Sequence, residues 1–219
     1  AGYPMDAAAM LLCESDGSSE EVASEIQKTT EVLNKAGATE ITISSDETHR
    51  LKLWAGRKSA FPAVGRVLPD YFCMDGTIPR RELAHVLQAI TELSYKYELQ
   101  VANVFHAADG NLHPLILYDA NEGDQLSRAE AFGSEILVLC IEKGGTITGE
   151  HGVGIEKINE MCLQFNRDEL VIFHGIKNAF DHHGILNPGK GIPTLSRCAE
   201  FGAMHVHAGE ERFPHLDRF

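Results

Sequence analysis

Two short segments concentrate the residues able to do chemistry: His-Ala-Ala-Asp-Gly-Asn-Leu-His at 106–113 and Gly-Glu-His-Gly at 149–152. Ala-Asp-Gly-Asn is a turn signal, because Gly and Asn tolerate positive φ, so His106 and His113 fall at the two ends of a predicted hairpin. Side chains facing each other across antiparallel strands have Cβ atoms about 4.5–5.5 Å apart. Two imidazoles so placed can share one divalent ion at roughly 2.0–2.1 Å each. Asp109 and Asn111 lie in the turn, where they can cap its backbone or orient an imidazole. Read alone, the segment also fits a polar hairpin with two solvent-facing histidines.

The second segment adds a carboxylate. Four glycines, Gly145, Gly149, Gly152 and Gly154, surround the adjacent Glu150 and His151, and glycines let backbone approach a ligand or another strand closely. Glu150 would complete a His₂Glu set that leaves one position open for substrate. His151, pointing elsewhere, suits general-base work near neutral pH. The competing reading is a helix start, with Glu150 satisfying backbone amides and His151 on the surface. A third constellation is Leu53-Trp54-Ala55-Gly56-Arg57-Lys58. Its guanidinium could clamp a carboxylate with two hydrogen bonds, although an exposed Arg-Lys pair is more simply solvated.

The elements that must position these residues follow from periodicity. Met10–Glu14 is expected as a short strand. A helix follows, with capping-box spacing at Ser18 and Glu21 and closure at Gly37. Ile41–Ser44 is expected as the next strand. Pro79 opens a helix whose apolar face is Leu83, Val86, Leu87, Ile90 and Leu93. Strands over 100–106 and 112–118 form the hairpin. Helices are expected over about 124–143, 154–165 and 168–183 by their apolar spacing, before a turn at Asn187-Pro188-Gly189-Lys190. The pattern predicts an α+β fold, a mainly antiparallel sheet covered by helices, with ferredoxin-like halves. One domain is expected over 1–194 and a tail over 195–219. In that tail His205 and His207, one residue apart, would share a strand face.

Composition limits the function classes. The 219 residues carry a formal net charge of −13, which argues against nucleic acid or an anionic membrane as the main partner. An anionic small molecule is not excluded, since a site can be locally positive. No run approaches the ~18 apolar residues of a membrane span, and the first residues lack a signal peptide's basic and apolar regions. A cytoplasmic protein is expected, with any membrane association peripheral and through partner subunits. Five widely spaced cysteines without Cys-x-x-Cys do not suggest a disulfide framework; at least four are expected as buried, inert thiols. No Gly-x-Gly-x-x-Gly opens a helix after a strand, and no phosphate loop is present. The chain alone therefore offers no recognisable dinucleotide-binding element. The residues by themselves admit a free-standing metal-dependent hydrolase and a stand-alone ferredoxin-like metal- or ligand-binding module without catalysis.

Taken together, AGYPMDAAAMLLCESDG, LWAGRKSAFPAVGRVLPDYFCMDGTIPRR, NVFHAADGNLHPLILYD, GGTITGEHGVGIEK and ILNPGKGIP resemble the C-terminal domain of flavin-linked 2-hydroxy acid oxidases and dehydrogenases. That family includes the glycolate oxidase flavoprotein subunit, which RCAEFGAMHVH also resembles, D-lactate dehydrogenase and D-2-hydroxyglutarate dehydrogenase. The resemblance implies a cap that closes over FAD held by an N-terminal domain, so the chain is expected to be a fragment, inactive by itself. It implies His106, His113 and Glu150 as ligands for zinc or manganese, and His151 as the base that removes the hydroxyl proton. Arg57 would clamp the substrate carboxylate. Asn111 would face substrate and flavin, and Asn187 and Lys190 the flavin. The implied partners are a small 2-hydroxy acid, the FAD-binding domain and other oxidase subunits. Two departures stand out. Tyr71-Phe72-Cys73-Met74-Asp75 lacks the Lys of the hydroxyglutarate enzyme's Tyr-Lys-Tyr-Asp, and Phe61 replaces a small polar group. Both favour a small monocarboxylate such as glycolate or D-lactate.

Overall fold

The computed structural model describes residues 2–4, 6–194 and 198. Apart from Cys198, the expected tail over 195–219, with His205 and His207, lies outside the described residues. The chain divides into two compact units, Ala1–Ala63 and Val64–Phe219.

The first unit is helical. Ser18 and Glu21 form the expected capping box around α1 (Ser19–Lys35), the Ser18 N–H donating to Glu21 Oε2 at 2.9 Å. This satisfies amides that a helix start leaves open. Helix α2 (Glu47–Lys58) begins at Asp46, whose side chain accepts from the His49 N–H at 2.8 Å. Arg50 ties that helix to Glu14 at 2.8 Å. A short helix, α3 (Ala60–Val64), follows.

The strands expected at Met10–Glu14 and Ile41–Ser44 do not form. Their apolar side chains are exposed, Met10 by 55% and Ile43 by 54%, and among the described residues no strand of this unit pairs with them. A strand needs a partner for its backbone groups, and alternating sequence alone does not supply one.

The second unit holds an antiparallel sheet of β1 (Asp70–Cys73), β2 (Val101–Asn103) and β3 (Pro114–Tyr118), in the order β1-β3-β2. Cys73 and Ala102 both pair with Leu115. A single turn of 3-10 helix leads into α4 (Leu83–Tyr97), and α5 (Gln125–Glu142), α6 (Ile158–Gln164) and α7 (Arg167–Phe180) follow. Val86 and Ile90 of α4 meet Ile116 of β3 and Ala129, Phe132 and Ile136 of α5 in one fully buried cluster. The α5 residues recur at three- and four-residue spacing, which places them on one helix face. Burying each large side chain contributes about 1.5–3 kcal/mol. The expected class, helices covering an antiparallel sheet, is the one observed.

Alternation along β3 decides what faces the site. Ile116 points into the helical core, so His113, Leu115 and Leu117 share the opposite face, with Cys73 beside Leu115 in register.

The cysteines differ from expectation. Cys162 on α6 is joined to Cys198 by a disulfide across 36 residues, with Cα atoms 5.2 Å apart. Cys13, Cys73 and Cys140 remain thiols, and only Cys140 is fully buried. Sequence separation says nothing about proximity once the chain folds back on itself. Among the described residues no helix is long and apolar enough to cross a membrane.

Candidate metal and substrate site

The site is built where three non-helical segments meet. Outside the named strands, Thr77 pairs with both Asn111 and Thr146, and His106 pairs with Asn111. The segment after β1, the hairpin turn and the segment after α5 are thus laced side by side. The Thr77 and Thr146 hydroxyls meet at 2.9 Å, and Thr146 Oγ1 donates to the Thr148 carbonyl at 2.7 Å. Glycine is required at two points of this lacing. A methyl group at Gly145 would run into the Thr77 carbonyl, and one at Gly149 would lie 2.6 Å from Asn111 Oδ1.

The hairpin places its histidines on one face, but diagonally. His106 lies opposite Asn111, while the Val104 N–H donates to the His113 carbonyl. Rows two residues apart on the same side bring the rings together, with centroids 5.7 Å apart and nearly perpendicular. His113 is 3% exposed. Its Nε2 lies 2.7 Å from Glu150 Oε1 and 3.3 Å from His151 Nε2. Donor atoms of His106, His113 and Glu150 all fall within 4.8 Å of one another. Three nitrogen and oxygen donors within that span fit a single divalent cation. Burial is the main influence on His113 and holds its pKa below histidine's usual value, while Glu150 pulls the other way. Burial thus favours the neutral imidazole, the form that ligates metal.

His151 stands beside this trio, its Nε2 3.9 Å from Glu150 Oε1, and its side chain is 46% exposed. It opens onto a cleft of about 310 Å³ that is also lined by Cys73, Lys157 and Lys190. Asn111 is 7% exposed, with Oδ1 buried and unbonded against Gly149. Lys190 belongs to the expected turn, which Asn187 opens in a left-handed conformation at φ +43°. The Gly191 N–H anchors that turn to the Gly154 carbonyl at 2.8 Å. Asn187 is exposed in the turn and does not line the cleft. Arg57 lies in the last turn of α2, in the first unit.

Two residues outside the sequence-based set hold the Gly149–Gly152 loop. Asp75, fully buried, accepts at Oδ2 from the N–H groups of Gly149, Glu150 and His151, at 3.1, 2.8 and 2.7 Å. Thr148 Oγ1 donates to the same carboxylate and accepts from the Gly152 N–H at 2.9 Å. Lys157, 2% exposed, forms an ion pair with Asp75 Oδ1. Burial pulls the Lys157 ammonium down to about 8, and Cys73 and Glu160 oppose that pull. The sequence signal for both was faint: a lone acid between Met74 and Gly76, and a lone base at the edge of an apolar helix.

Comparison with known proteins agrees with the motifs. The family described as FAD linked oxidases, C-terminal domain, matches residues 1–191. The glycolate oxidase subunit GlcD of Escherichia coli (strain K12) is 62% identical over 219 residues, all of this chain and 44% of that protein. The Bacillus subtilis (strain 168) subunit of the same name is 37% identical over 189 residues, 86% of this chain and 40% of that protein. A D-lactate dehydrogenase of Anaerostipes hadrus is 32% identical over 186 residues, 83% of this chain and 39% of that protein. The chain thus spans less than half the length of these relatives. On this match over residues 1–191, the chain belongs to the FAD linked oxidase C-terminal domain family.

Proposed function

We propose that the chain is the substrate-side domain of an FAD-dependent enzyme that oxidises a small 2-hydroxy acid, glycolate or D-lactate, to the 2-oxo acid. The observation that carries this reading is the convergence of His106, His113 and Glu150 with His151 at the edge of one cleft. His106, His113 and Glu150 would hold a divalent metal, zinc or manganese, which when bound supplies polarisation of the substrate hydroxyl. A flavin, held mainly outside this chain, supplies the hydride acceptor.

The chain's own residues then have distinct tasks. His151 would take the proton from the substrate hydroxyl oxygen while hydride departs from the carbon that bears it, so the alcohol would lose two electrons and two hydrogens. Burial disfavours the charged form of His113, which suits it to metal binding rather than to proton transfer. Arg57 would grip the substrate carboxylate with two hydrogen bonds, Asn111 would face substrate and flavin, and Asn187 and Lys190 would flank the flavin. Cys73 stands in the cleft wall in the place of the Lys of the Tyr-Lys-Tyr-Asp segment and adds no cation to Lys157 and Lys190 there, which favours a monocarboxylate. Other oxidase subunits as partners, and peripheral membrane association through them, belong to this same proposal, as does a cytoplasmic site.

Two measurements test it. Zinc or manganese titrated into the chain is expected to bind at one equivalent, and His106→Ala to weaken it about 10–100-fold or more. With the flavin-binding part present, glycolate or D-lactate turnover with a dye acceptor is expected to fall roughly 100-fold or more in His151→Asn. Undiminished turnover in that variant, or preference for a dicarboxylate, would overturn the assignment.

A further inference from the structure

We propose that the buried Asp75–Lys157 pair is the positioning device that presents Glu150 and His151 to the cleft. The argument begins with hydrogen-bond capacity. A carboxylate offers about four lone-pair directions, and Asp75 fills them from the protein with the Glu150 and His151 N–H groups, the Thr148 hydroxyl and the Lys157 ammonium, while the Gly149 N–H divides between the Asp75 carbonyl at 2.7 Å and Oδ2 at 3.1 Å. Nothing is left over for substrate or metal, and the residue is fully buried. Asp75 is therefore not itself a catalytic residue.

Its effect is geometric. Successive N–H groups converging on one anion form a concave nest. When amides 149–151 turn inward to Asp75 Oδ2, the intervening side chains must turn outward. Glu150 and His151 have side chains 52% and 46% exposed, although their amides lie against a buried carboxylate. The short glycine-flanked loop has no helix of its own to orient it, since α6 begins only at Ile158. A single fixed anion thus sets the direction of both residues. An isolated buried carboxylate would cost several kcal/mol, and Lys157 from the far end of the loop supplies the counter-charge. The loop is gripped at both ends by one ion pair.

This inference rests on the reading of Glu150 as ligand and His151 as base, but its test separates the two. Residue-resolved amide hydrogen exchange and zinc titration would be measured on the wild-type chain, Asp75→Asn and the double variant Asp75→Asn/Lys157→Met. In Asp75→Asn the amides of Glu150 and His151 are expected to exchange at least ~10-fold faster. Those of Leu115 to Leu117 in β3 should keep their protection, and zinc affinity should fall roughly 10–100-fold, as for other groups that orient metal ligands. The double variant, which buries no charge, keeps the test decisive if the single variant does not fold, and the same loop-specific change is expected in it. Unchanged exchange at 150–151, or protection lost equally across β3, would overturn the assignment. A wild-type chain that binds no zinc would sink the metal reading alone, because the exchange arm still decides the role of Asp75.

Discussion

At Gly149 a single hydrogen atom decides whether the site can assemble. The Asn111 carboxamide lies flat over this residue, and an added methyl would sit 2.6–2.8 Å from three of its atoms. Asn111 is itself nearly fully buried in the hairpin turn. Gly149→Ala is therefore expected to destabilise the chain by about 1–3 kcal/mol, the usual cost of overpacking, and to weaken the metal binding proposed at the neighbouring Glu150. Gly175, inside α7, is the contrasting case. It is exposed, with nothing near a new methyl group, so Gly175→Ala should stabilise by about 0.5–1 kcal/mol through helix propensity. Urea unfolding midpoints of the two variants check both signs. Equal effects at the two positions would remove the steric argument. The glycine richness of 145–154 was legible in the sequence, whereas the partner each glycine accommodates was not, because Thr77 and Asn111 are distant along the chain.

The end of α7 shows how an element delivers a turn to the site. Asp181 accepts from Lys177 Nζ at 2.8 Å and from the N–H groups of Ile185 and Leu186 at 2.9 and 3.0 Å. Those bonds hold its carboxyl below the usual range, the Lys177 contact being the strongest. A carboxyl depressed on folding adds stability that is present above the unfolded value near 3.8 and is lost as pH falls through the folded value. Asp181→Asn should therefore lower the unfolding midpoint at pH 7, and the gap from wild type should close below about pH 4. A gap independent of pH would contradict this role. Among the elements, helices with a strong apolar stripe or a capping box were legible: α1, α4 and α5 fall within a few residues of their expected bounds. Helix α2 was not, because none of its residues is buried and no stripe betrays it. Strand β1 was missed because four residues are too few to show alternation. The hairpin was legible from Asp-Gly-Asn, but its register was not. The tight turn sets His106 opposite Asn111 rather than His113.

For the molecule as a whole, the Cys162–Cys198 bridge is the covalent constraint that the spacing of the cysteines did not reveal. It closes a 36-residue segment that includes α7, the Asp181 anchor and the Asn187–Lys190 turn, so the redox state of one pair bears on everything between them. By the chain-entropy estimate, a loop of that length is worth roughly 4 kcal/mol. Reducing agent is expected to lower the unfolding midpoint of the wild-type chain, and Cys162→Ser, already open, should show no further response. Identical midpoints with and without reductant would show that the bridge contributes nothing. Compartment enters through the same pair, since cytosolic thiols are kept reduced. Alkylation in denaturant immediately on lysis counts the thiols: five of the five cysteines if the bridge is open in the cell, three if it is closed. A cytoplasmic location predicts five in the cell and three after purification in air. In that case the segment carrying Lys190 is looser where the protein works than in the oxidised chain, and substrate-side measurements made without reductant will overstate how firmly that turn is held.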